Sequence, residues 1–87
     1  MFTVWGKLYR KNKCIASDTF TSPQDDLSAA LEECLRHFGH TFDMEVPMWN
    51  SQHTKQFAGF QKVAFTPDDF IDRVKFDRFE MQLLDEE

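Results

Sequence analysis

The sequence predicts an α+β domain: a small antiparallel or mixed three-stranded sheet, made of an N-terminal hairpin and a C-terminal strand. One main helix and two short helices cover one face of it. Three observations carry this expectation. Phe2 to Arg10 alternates apolar and polar side chains, the period of a half-buried strand; Ser22 to Gly39 repeats its apolar residues at helical spacing; and from Lys75 the period returns to two.

In the first strand Phe2, Val4, Gly6 and Leu8 point one way, and Thr3, Trp5, Lys7 and Tyr9 the other. Lys11 and Asn12 form a turn, since Asn tolerates left-handed backbone, and the β-prone run Lys13 to Thr21 completes a hairpin.

The central segment is the strongest helix signal in the chain. At ~100° per residue, Leu27, Ala30, Leu31, Cys34, Leu35 and Phe38 fall within an arc of roughly 140°, opposite Asp25, Asp26, Glu32, Glu33 and Arg36. Ser22 is the expected cap, Pro23 the first helical residue, Asp25 and Asp26 the partners of the helix dipole, and Gly39 the left-handed stop. Glu32 stands four residues before Arg36, the favourable order for an ion pair. Burying the four large residues Leu27, Leu31, Leu35 and Phe38 is worth about 1.5–3 kcal/mol each before ordering entropy is subtracted, so this stripe requires a sheet beneath it.

From His40 to Asn50 there is no sustained period, and Pro47 limits extension. Phe42, Met44, Val46 and Trp49 are expected to anchor a loop to the core. Asn50 or Ser51 caps a short helix through Phe57 that stops at Gly59, and Gln61 to Phe65 is ambiguous between coil and a brief strand. Thr66-Pro67-Asp68-Asp69 reads as the start of a second short helix with Phe70, Ile71 and Val74 on its apolar side. In the last strand Asp77, Phe79, Met81 and Leu83 share one face and Phe76, Arg78, Glu80 and Gln82 the other, with residues 85–87 a frayed acidic end. Laid beside the first strand, it would bring Glu80 near Lys7 or its neighbours.

A chain of 87 residues makes one domain, 1–87, with a ring-rich core supplied by its ten Phe. No apolar run is long enough to cross a bilayer and no charged-then-apolar leader opens the chain, which predicts a cytoplasmic protein without membrane contact. Cys14 and Cys34 then read as free thiols; they do not form a Cys-x-x-Cys. The formal net charge of −5 disfavours generic binding to phosphate backbones, yet Lys7, Arg10, Lys11 and Lys13 crowd the first fourteen residues without an acid among them.

Reactive constellations are weak. Cys34, His37, His40 and His53 suggest zinc by type, but the first three do not share a helix face, and a thiol in an apolar stripe is inert. Asp68, Asp69 and Asp72 lack calcium-loop spacing and suit a helix start. No catalytic residue, metal or cofactor is expected. Trp5, Lys7 and Tyr9 interleave rings and a cation on one strand face, as a base-stacking platform does, and Trp49 is a candidate partner anchor on its loop.

Trp5-Gly6-Lys7, Ala30-Leu31-Glu32-Glu33-Cys34, Pro47-Met48-Trp49, Phe65-Thr66-Pro67-Asp68-Asp69-Phe70 and Phe76-Asp77-Arg78-Phe79-Glu80 together resemble a group of short, uncharacterised bacterial proteins. The resemblance spans nearly the whole chain and implies one compact cytoplasmic domain, with no activity, cofactor or binding residue attached. The expected function is a small non-catalytic interaction module whose partner is another protein. The alternative is single-stranded nucleic-acid binding through Trp5, Lys7 and Tyr9, and a small enzyme is the third reading. The oligomeric state is left open.

Overall fold

The computed structural model describes residues 1–86 and is α+β. In chain order the elements are β1 (Phe2–Arg10), β2 (Lys13–Ser22), α1 (Leu27–Thr41), α2 (Ser51–Phe60), β3 (Lys62–Phe65), a single 3-10 turn (Pro67–Asp69) and β4 (Arg78–Glu86). All strand pairs are antiparallel, in the order β2-β1-β4-β3.

The hairpin turns at Lys11 and Asn12, whose φ values of 52° and 65° are the positive pair that a two-residue connection between right-twisted strands requires. Beyond it the register skips Ile15, so Leu8 faces Ala16 while Tyr9 faces Cys14, a bulge near the hairpin end of the edge strand. β4 lies against β1 with Lys7 opposite Glu80.

Alternation assigns the inner face correctly. Val4, Leu8, Val63, Phe65, Phe79 and Met81 meet Leu31, Cys34, Leu35 and Phe38 of α1 and Phe57 of α2 in one continuous core. Ring contacts tie it together: Phe38 lies edge-on to Phe79 at 6.0 Å and Phe65 stacks on Phe79 at 5.6 Å. Gly6 sits directly under Phe38, where a Cβ would come within 2.9 Å of three ring carbons; the missing side chain lets the helix close onto the central strand.

Several expectations are corrected. The sheet has four strands, because Lys62–Phe65 pairs with Gln82 to Phe79; four residues are too few to display a period, and the partner strand decides them. Instead of a second short helix, Thr66-Pro67-Asp68-Asp69 makes one 3-10 turn. Phe70 then turns extended, with φ −113° and ψ 141°, to bury its ring against Phe76.

α1 is capped by Asp26, whose carboxylate accepts from the Ala29 amide at 3.0 Å. Ser22 stays in β2 opposite Phe2, fully buried, and donates to Glu33 Oε1 at 2.7 Å. Neither Gly39 nor Gly59 is a left-handed stop: α1 runs on to Thr41 with Asp43 at φ 53°, and α2 runs to Phe60 with Gln61 at φ 53°. Gly39 instead makes room for the following loop, a Cβ there standing 3.0 Å from the Met44 carbonyl oxygen.

β4 begins at Arg78, three residues later than the alternation suggests. Asp77 precedes it; its amide donates to Tyr9 O at 2.8 Å and its carboxylate accepts from the Lys11 amide at 2.7 Å. At its other end β4 continues through Asp85 and Glu86, opposite Thr3 and Phe2, where a frayed end was expected; Glu87 lies outside the described residues. Among the described residues no helix is long and apolar enough to cross a membrane.

Candidate functional site

Both helices pack on the inner face of the sheet, so the molecule presents a helical side and an open sheet side. The candidate residues divide between them: Trp49 belongs to the helical side, and Trp5, Lys7 and Tyr9 to the sheet side.

On the helical side α1 and α2 line an apolar cleft of about 420 Å³. Leu27, Leu31 and Leu35, on successive turns of α1, form one wall; Phe57 and Ala58 of α2 form the other, and Trp49 lines it as well. Ser28, Glu32 and Thr54 supply its polar groups. Trp49 is half-buried, with its ring 5.8 Å from Phe65 and 6.4 Å from Phe57 and its indole N–H donating to Thr54 Oγ1 at 2.8 Å. That bond fixes the ring's orientation from the first turn of α2.

The start of α2 is locked by His53. Its Nδ1 accepts the Asn50 amide at 3.0 Å while Asn50 Oδ1 accepts the Gln52 and His53 amides, a capping box with imidazole in place of a carboxylate. The proton therefore resides on Nε2, which donates to Asp69 Oδ2 at 3.3 Å; the same oxygen accepts the Thr66 amide at 2.9 Å. Both ring nitrogens are thus committed to holding backbone, and the ring is buried 4.5 Å from Phe65. Such a histidine fixes the α2 entrance against the 3-10 turn and presents no free nitrogen to a substrate.

Cys34 lies wholly inside the core, where burial, with a smaller contribution from the Glu33 charge, pushes its thiol up to about 12. It is no nucleophile at neutral pH. His37 instead stacks on Phe20 at 4.3 Å and reaches Asp18 of β2 at 2.6 Å, so it staples α1 to the hairpin. Among the described residues no three His, Cys, Asp or Glu side chains converge on a metal-sized space, and Cys14 and Cys34 are free thiols.

The open sheet face is organised around Glu80. Its carboxylate lies 2.8 Å from Arg78 Nε, 3.6 Å from Lys7 Nζ and 3.8 Å from Lys62 Nζ. The Arg78 contact is an ion pair without hydrogen-bond alignment, since that N–H has no bonded partner. Lys7 Nζ stands 4.1 Å from the Trp5 ring centre and 5.8 Å from that of Tyr9, and the Arg78 guanidinium lies over Tyr9 at 4.4 Å. The rings shield the Lys7 stem, leaving Lys7 8% and Glu80 7% exposed on a face no helix covers, while Trp5 and Tyr9 are half-buried. The structure brings Trp5, Lys7 and Tyr9 together with Arg78 and Glu80, as the strand alternation suggests, and adds Lys62. The cleft was not visible in the sequence; its only signal was Trp49 beside a short helix start.

Comparison with known protein families, curated proteins and solved structures found no match.

Proposed function

We propose that this protein is a small non-catalytic interaction module that receives an amphipathic helix of a partner protein in the cleft between α1 and α2. The observation supporting this is the cleft itself. Its α1 wall repeats leucine every turn over Leu27, Leu31 and Leu35, the spacing that accepts apolar side chains from a helix laid alongside. Trp49, held by Thr54, supplies the kind of rigid aromatic surface that dominates binding energy at interfaces.

Charge selects the partner further. Asp25 and Asp26 stand at the start of α1 and Glu32, shared with Arg36 at 3.2 Å, at the cleft, and between Cys14 and Leu35 there is no Lys or Arg. The complementary occupant is a helix with apolar residues at i, i+3 or i+4 and i+7, flanked by Lys or Arg. A cytoplasmic setting fits the two free thiols.

A photo-crosslinking amino acid placed at Ala58, on the cleft wall, tests the reading in cells. One protein partner should be captured there, and not from Thr19 on the opposite side. Leu27→Glu and Trp49→Ala should abolish capture while circular dichroism stays native. Equal capture from both positions, or capture indifferent to Leu27→Glu, would refute it.

A further inference from the structure

The sheet side carries a separate signal, independent of the cleft. Although the chain as a whole is acidic, Lys7, Arg10, Lys11, Lys13, Lys62 and Arg78 gather on the open face and at the hairpin end of it. Among the described residues two carboxylates stand among these six cations, and both are engaged: Glu80 by Lys7, Lys62 and Arg78, and Asp77 by the Lys11 amide. Asp18 is on the inner face with His37, and Asp85 lies at the far end opposite Thr3. Asp69 faces His53 and so belongs to the helical side, while the Asp72 backbone amide donates to Glu45 Oε1. The sheet face is therefore a positive surface on a negative molecule.

We infer that this face binds single-stranded nucleic acid, its sugar-phosphate chain drawn to the Arg10, Lys11, Lys13 and Arg78 cations and its bases set against Trp5 and Tyr9. Folding places the two rings on the same side of the central strand β1, four residues or about 13 Å apart along it, with the Lys7 ammonium between them. Two rings bordered by exposed cations at the hairpin end suit a polymer that carries both flat bases and phosphates. An acidic peptide would use the cations and leave the rings idle. The flanking side chains Thr3, Thr19 and Gln82 are short or uncharged, so recognition is expected to tolerate many sequences.

The test uses the full chain carrying Trp49→Phe, so that Trp5 is the sole indole, titrated with fluorescein-labelled oligothymidylate of about twelve nucleotides. Binding should rise in anisotropy at low salt and quench Trp5 emission. The logarithm of affinity should fall against that of salt concentration with a slope of about −2 to −3, three or four phosphates being neutralised. The double variant Arg10→Glu, Lys13→Glu, both exposed and outside the core, should weaken binding at least tenfold with an unchanged circular dichroism spectrum. Absence of binding at low salt overturns the inference. So does binding unaffected by the double variant, or polyglutamate that competes equally without quenching Trp5, which would mark a site for acidic peptides.

Discussion

Lys7 Nζ lies 3.6 Å from Glu80 Oε1, directly across the β1–β4 pair, and both side chains are nearly enclosed although no helix covers that face of the sheet. Enclosure comes from the neighbours: Trp5 and Tyr9 flank the lysine stem, and Arg78 and Lys62 close over the carboxylate. The pair joins the hairpin to the last strand.

Glu80→Ala should therefore be costly, since it leaves Lys7 enclosed without its partner. About 2–4 kcal/mol is expected, near the lower range for breaking an enclosed pair because Lys62 and Arg78 stay solvated. Lys7→Met combined with Glu80→Leu should restore most of the loss, because two apolar side chains need no partner. Urea denaturation of the single and double variants measures both, and additive losses would show that the two side chains are not coupled.

The glycines should respond in opposite directions. Gly6→Ala drives a methyl group into Phe38, which is fully buried and has nowhere to go, at about 1–3 kcal/mol. Gly59→Ala, in α2 with open space around it, should stabilise by about 0.5–1 kcal/mol through better helix propensity. Thermal melts of the two variants should move to either side of the parent.

Asp26→Ala should cost about 1 kcal/mol as the loss of the α1 cap. Ser22→Ala removes a bond to the Glu33 carboxylate from a fully buried site, about 1–3 kcal/mol. Placing Gly at position 22 would not rescue that loss, as it does at a true cap, because the serine acts through Glu33 and not on helix amides.

Cys34 gives the protein a distinctive alkaline response. Its folded thiol titrates at about 12, whereas in an unfolded chain a thiol titrates near ~8.5. Below the unfolded value both states hold the proton and stability is unaffected. Above it the unfolded chain releases a proton that the native state keeps, so stability declines by up to about 1.4 kcal/mol per pH unit until the folded thiol also ionises. Relative to the parent, Cys34→Ala should lack this slope. Iodoacetamide at pH 8 should label exposed Cys14 alone, Cys34 reacting only on unfolding.

Period and turn chemistry made most of the fold readable beforehand. The alternation in Phe2 to Arg10 settled which side chains of β1 face the core, and the leucine stripe settled which side of α1 meets the sheet. These patterns arise because burial acts on every second residue of a strand and every third or fourth of a helix. The helix ends misled because Ser22, Gly39 and Gly59 have residue types that often terminate helices. Ser22 was claimed by strand pairing with Phe2, and the two glycines sit inside helices whose left-handed exits fall later, at Asp43 and Gln61.

The amino-acid order by itself determined a strand hairpin, a central amphipathic helix and a returning strand, whereas the register that sets Lys7 opposite Glu80 came from the folded sheet. Tertiary structure alone decided that Lys62–Phe65 is a strand, that the helix begun at Thr66 stops after one turn, and that α1 and α2 line a cleft beside Trp49. The physical reason is range. Local periodicity records which face of a segment is buried, whereas a four-residue strand, an aborted turn and the space between two helices depend on partners many residues away.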